Sequence, residues 1–237
     1  MLPDHLFTRN FPLKADLYRN LAKAPDKPFD DLADDDESFD LAEVAINRAQ
    51  SASAPGREFL DDPVYHLAIG RSFESASSLS TRYGDGTFSV WYGSMNDSTT
   101  IFETAYWMIR IERAIGNISQ RVTRQRDIYR VHCEAILVDL TVQKEQFVEL
   151  TGADYHFTGQ IGRRIQRERH PGLLAPSARE DGGVNAAIFT TRVLSNPRLY
   201  QQLQYQLDPK TLIVTVSPQP ADAEAPGVNT VDGSIWI

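Results

Sequence analysis

The chain has 237 residues, enough for one sizeable domain or a domain with an appendage, and its 41% hydrophobic content is ordinary for a globular protein and excludes a disordered one. Its net charge of −8, from 24 Lys and Arg against 32 Asp and Glu, argues against direct nucleic-acid binding, which needs a basic face. No apolar run reaches the roughly eighteen residues of a membrane span, so no membrane partner is expected.

The chain opens with MLPDHLFTRNFPLKAD, which lacks the apolar core of a signal peptide. With Cys133 as the single cysteine, a disulfide framework is excluded, and a reducing, cytoplasmic setting is the expectation. Residues 1–60 read as an N-terminal acidic and helical extension. Its segment 26–40, DKPFDDLADDDESFD, is a solvated stretch or a docking surface for a basic partner. LAEVAINRAQSA, residues 41–52, has helical spacing, and SAPG stops it.

The character changes at Val64, and a domain over 61–217 is expected. VYHLAIG, 64–70, and FSVWYG, 88–93, read as strands, the second by its aromatic and β-branched alternation. NDSTTIFETAYWMIRIERAIG, 96–116, is a helix with polar caps, apolar residues three and four apart and a closing Gly116. A basic polar stretch over 119–130 leads into strands at 132–140, with buried Cys133, and at 146–150. A second basic stretch, 159–170, precedes PGLLAPSAREDGGVNAAIF, a loop, a turn and a strand. NPRLYQQLQYQL, 196–207, is expected as a short helix or extended arm, and TLIVTV, 211–216, as the last strand. The tail over 218–237 is Pro- and Ala-rich and either loose or paired at a sheet edge. The sum is a mixed α+β domain with strands dominating its second half.

The common catalytic signatures are missing: no P-loop, GxGxxG, HExxH or GxSxG occurs, and the five histidines show no metal-ligand spacing. What remains is a scattered polar set. Arg82 offers a planar fork suited to a pyrophosphate. Tyr83 and Tyr92 offer flat faces and hydroxyls for a ring such as nicotinamide. Glu103 could hold a ribose hydroxyl and stabilise an oxocarbenium-like transition state. Ser177, beside the Gly182–Gly183 turn, supplies a hydroxyl and neighbouring N–H groups, and Arg179 follows it. Thr100 and Glu103 also fit a capping box, so a helix cap stands open beside the catalytic reading.

These residues resemble the core of the RES-domain family, named for Arg, Glu and Ser. TRYGDGTFSVWYGSMNDSTTIFETAYW, 81–107, carries Arg82–Tyr83, Tyr92 and Glu103–Thr104–Ala105 in the family's order, at separations of 10 and 11 residues. GLLAPSAREDGGVNAAIF, 172–189, matches the family's serine block through Ser177, Arg179, Gly182, Gly183 and Asn185. The resemblance implies an ADP-ribosyltransferase-like mixed sheet core with flanking helices. It also implies an enzyme that takes NAD as substrate, without a metal, and cleaves the nicotinamide–ribose bond. ADP-ribose would then pass to phosphate, water or a protein target. Glu103, Arg82 and Ser177 would be catalytic, with Tyr83, Tyr92 and Arg179 binding the substrate. The family's usual partner is an Xre-type helix-turn-helix antitoxin that blocks the active site, and self-association stays open. Many members begin with an aromatic–Arg pair. Here Tyr65–His66 stands at that place, so either His66 takes that arginine's part, or Arg121, Arg124 or Arg126 does, or NAD binding is altered. A non-enzymatic module that only holds a nucleotide is the alternative from another class.

Overall fold

The computed structural model describes residues 2–23, 63–74, 80–117 and 119–236. The acidic segment 26–40 and the helix expected over 41–52 lie outside the described residues. The fold is α+β: eight strands form one mixed sheet, in the order β1-β2-β5-β4-β3-β6-β7-β8, with helices against it. The strands are β1 (Asn10–Ala22), β2 (Trp91–Ser94), β3 (Val122–Asp139), β4 (Gly172–Pro176), β5 (Val184–Ile188), β6 (Leu194–Asp208), β7 (Ile213–Pro218) and β8 (Thr230–Asp232). Helix α1 spans 63–74 with a π-turn over His66–Gly70, α2 is Asp97–Ala114, and α3 is His156–Arg167.

The sheet closes on itself. β1 pairs with β2 at Tyr18↔Ser94 and with β3 along its full length, from Asn10↔Val138 to Ala22↔Arg126. β3 hands its other edge from β6, over 122–133, to a short parallel contact with β4 at Val138↔Leu173. The ring β1-β2-β5-β4-β3 therefore has no open edge, and β6–β8 extend the sheet beyond it. Leu13 and Leu17 of β1 enter the same core as Trp91, Val131, Leu137 and Ile188. Residues 10–22, which composition and sequence position assign to an extension, are thus a central strand of the domain.

Other segments differ from their sequence reading, or take one of its alternatives, for identifiable reasons. Residues 64–70 are helical rather than extended: Ala68 and Ile69 are buried, while Val64 and His66 face solvent, which is a helical spacing. The basic stretch 119–130 supplies the first part of β3. Its polar face hides the strand period, because Arg124 and Arg126 alternate toward a cavity rather than toward the core. Residues 146–150 form a 3-10 turn, Val148–Leu150, and no strand. The second basic stretch lies mostly in α3, whose buried Thr158, Ile161, Gly162 and Ile165 recur at helical spacing. Residues 196–207 belong to β6, with Leu203, Tyr205 and Leu207 buried at every second position. The tail pairs at the sheet edge through β8. FSVWYG, the 96–116 helix, 132–140 and TLIVTV hold their expected type, with shifted ends; Gly116 closes α2 at φ 80°. Cys133 is buried as expected.

No helix among the described residues is long and apolar enough to cross a membrane.

Candidate active site

A cavity of about 550 Å³ opens between α2 and the ring of strands, within the size range of small-molecule sites. Its floor is built around Glu103. The helix is capped at Asn96 and starts at Asp97, so Glu103 stands about two turns in and does not cap it. Its Oε1 accepts two hydrogen bonds, from Ser177 Oγ at 2.8 Å and from Asn185 Nδ2 at 2.7 Å. Both donors are themselves fixed. Ser177 is 3% exposed and accepts from the backbone N–H groups of Arg179 (3.0 Å) and Glu180 (3.2 Å), so its single proton is directed at Glu103. Asn185 Oδ1 accepts from Ser94 Oγ at 2.7 Å, which orients the amide. Among the described residues Glu103 Oε2 has no hydrogen-bond partner.

Local chain chemistry places this floor. Ser177 follows β4 and begins a turn in which Gly182 takes φ 74°, a conformation that side chains resist. That turn brings the chain back into β5, where Asn185 pairs with Ser94 of β2. The link from β2 to α2 is two residues, Met95 and Asn96, so strand, turn and helix meet at one carboxylate.

Arginines surround the carboxylate. Arg19, Arg82, Arg124, Arg126 and Arg179 line the cavity, against Glu103 and Glu112 as its acids. Arg82 is held by the carbonyl oxygens of Leu150 (3.1 Å) and Gly152 (2.8 Å), and its guanidinium lies 4.7 Å over the Tyr155 ring. Arg179 stacks 3.3 Å over the Tyr106 ring, and its burial lowers its pKa from the ordinary arginine value. Arg124 pairs with the buried Glu112 at 3.3 Å, and Arg126 Nε donates to Asn20 Oδ1 at 3.1 Å. A chain of net charge −8 thus concentrates cationic groups in one concavity, an arrangement suited to a di-anionic ligand.

The two tyrosines play parts that sequence did not foretell. Tyr92 Oη sits 2.8 Å from Thr81 Oγ1 and accepts from the backbone N–H of Tyr83 at 3.0 Å, so it pins the turn that carries Arg82. Burial pushes its hydroxyl up to about 12. Tyr83 is 2% exposed, and burial raises its hydroxyl further still. Both border the cavity, Tyr83 buried and Tyr92 half-buried. Helix α3 clamps the same turn: a Cβ on Gly162 would fall 1.7 Å from the Tyr83 carbonyl oxygen, so only glycine lets the helix sit there.

Of the seven residues singled out by sequence, the structure gathers Glu103, Arg82, Ser177, Arg179, Tyr83 and Tyr92. His66 lies elsewhere, exposed on α1 with Nδ1 3.0 Å from Glu74 Oε1. Of the arginines considered in its place, Arg124 and Arg126 reach the cavity, whereas Arg121 pairs with Asp208 at 3.3 Å. The residue sequence missed is Arg19 of β1, whose Nη2 donates to Ser72 Oγ (2.6 Å) and Nη1 to the Tyr92 carbonyl (3.4 Å). Its signal is Tyr18–Arg19, an aromatic–Arg pair inside the segment that reads as an extension. Among the described residues no group of three His, Cys, Asp or Glu could hold a metal ion.

Residues 61–208 match the family model described as RES domain. No curated protein matches the chain. Among solved structures, the crystal structure of the M. tuberculosis MbcT-MbcA toxin-antitoxin complex contains a similar chain. The two are 14% identical, with 90% of this chain and 97% of that chain covered and a TM-score of 0.47.

Proposed function

The chain belongs to the RES domain family, and from that premise we propose that it cleaves the nicotinamide–ribose bond of NAD and passes ADP-ribose to phosphate or water. The observation that carries this reading is the single carboxylate, Glu103, locked by Ser177 and Asn185 on the floor of an arginine-lined cavity. Such chemistry needs one carboxylate rather than the pair an ordinary glycosidase uses. The nicotinamide of NAD is already cationic. When its bond to ribose C1 breaks, the electron pair leaves with the ring nitrogen and neutral nicotinamide departs without a proton. The positive charge moves to the ribose.

Glu103 then has two tasks: Oε2 accepts from the ribose hydroxyls, and the carboxylate charge stabilises the oxocarbenium as it forms. Ser177 and Asn185 hold that carboxylate in place, so Ser177 acts here through Glu103. Arg82 and Arg179 take the pyrophosphate or the incoming phosphate. Tyr83 and Tyr92 fix the Arg82 turn and wall the ribose side. A phosphate oxygen or a water oxygen forms the new bond to C1, and in the water case its proton leaves to solvent.

In this reading the chain is the toxin of a toxin–antitoxin pair acting in the cytoplasm, and an Xre-type antitoxin is its partner, inserting a segment into the cavity. Family membership supports this part. Product analysis tests the proposal. Purified protein, NAD and phosphate are expected to yield nicotinamide with phosphorylated ADP-ribose, or with free ADP-ribose when phosphate is omitted. Label from NAD appearing on protein bands of a lysate would instead favour transfer to a protein target. Intact NAD with measurable binding would favour a nucleotide-holding module.

A further inference from the structure

We propose that Trp107 is the stacking platform for the adenine base at the retained end of the substrate, which makes the preferred substrate an adenine dinucleotide rather than a mononucleotide. The inference takes its substrate from the NAD reading. Trp107 follows Glu103 by four residues, so it lies on the same face of α2, about 6 Å further along the axis. Both line the same cavity. Glu103 meets the 3%-exposed Ser177 at the floor, whereas Trp107 is 43% exposed at the mouth. The bond that breaks is at the floor, so the part of the substrate that remains must run outward, past the indole.

The cavity offers few aromatic faces. Tyr92 is half-buried with its hydroxyl committed to the Arg82 turn, and Tyr83 and Tyr205 are buried. Tyr155 lies under Arg82, at the reacting end. Trp107 is the aromatic side chain left facing water, beside the exposed Ile111 and the buried Met108. It is also held for the task. The Arg110 guanidinium covers it at 5.2 Å, and the Tyr106 ring meets it edge-on at 5.5 Å and 75°. Tyr106 is braced in turn by Trp236 at 5.5 Å and by Arg179. A rigid aromatic surface costs little entropy when a base stacks on it.

The test measures binding of ADP and of inorganic pyrophosphate to the full chain by calorimetry, for wild type, Trp107→Ala and Trp107→Phe. The inference expects Trp107→Ala to weaken ADP at least about fivefold while pyrophosphate changes less than about twofold, and Trp107→Phe to restore most of the loss. It also expects ADP to quench indole emission in the wild type and much less in Trp107→Phe, which keeps Trp91 and Trp236. No binding of ADP to the wild type overturns it, as does unchanged ADP affinity in Trp107→Ala. An equal loss for ADP and pyrophosphate overturns it too, because Trp107 would then act through the fold. None of these readouts depends on turnover. ADP bound through Trp107 without NAD consumption would fell the enzymatic reading and leave this inference standing.

Discussion

At the residue scale the site turns on how Glu103 is held. Two donors converge on Oε1, and neither touches the substrate in the proposed chemistry. Asn185→Ala and Ser177→Ala are therefore expected to lower kcat for NAD by about tenfold each and leave KM within about twofold, since each removes one hydrogen bond that fixes the carboxylate. A rise in KM with unchanged kcat would instead put these side chains on the substrate. Other buried groups set an alkaline limit on the fold. Burial pushes the Tyr92 hydroxyl up to about 12 and the Cys133 thiol up to about 11, and it raises Tyr83 and Tyr205 as well. These groups are neutral while protonated, and their folded pKa values lie above the unfolded ones, so their contribution is whole below the unfolded values. Above about pH 9 the unfolded chain releases protons first and stability falls. The unfolding temperature is expected to drop steadily between about pH 9 and 11. A flat profile there would contradict the burial of these side chains. The two blocks were legible at this scale because their residues keep fixed order and spacing. The roles of the tyrosines were not, since only packing shows that Tyr92 spends its hydroxyl on the Arg82 turn.

At the element scale, a few backbone approaches decide the geometry. α3 presses on Tyr83 through Gly162, and the segment just before α3 supplies the carbonyls of Leu150 and Gly152 that seat Arg82. Gly162→Ala must push helix and turn apart. It is expected to cost about 1–3 kcal/mol, a fall of roughly 5 °C in unfolding temperature, and to raise KM for NAD as Arg82 loses its seat. Equal stability and KM in that variant would show that the contact bears no strain. α2 was legible from apolar spacing and its closing glycine. The first half of β3 was not, because its cavity-facing and exposed positions carry Arg and Gln, and β6 stood open between helix and extended arm because the alternation of Leu203, Tyr205 and Leu207 with Gln204 and Gln206 is confined to its end. Neighbouring strands provide their hydrogen bonds, and no local signal reports that.

At the scale of the whole molecule, the domain is larger than the segment that carries the family pattern. β1 closes the ring of strands from outside 61–208, contributes Leu13 and Leu17 to the core, and brings Arg19 and Asn20 to the cavity. β1 was not legible because its main partner strand, β3, lies more than a hundred residues away. A chain restricted to residues 61–208 is expected to lack a cooperative unfolding transition, since β3 then exposes the edge and the core face that β1 covers. A sharp transition in that fragment would mean the ring is dispensable.

The central claim is that Glu103 breaks the nicotinamide–ribose bond. It is tested most directly by following NAD over time with purified wild-type protein and with Glu103→Gln, in the presence of phosphate. The account predicts steady loss of NAD with the wild type. With Glu103→Gln it predicts a rate lower by at least about 10²–10³-fold and an unfolding temperature close to that of the wild type. NAD consumed at similar rates by both proteins, or by neither, would contradict it.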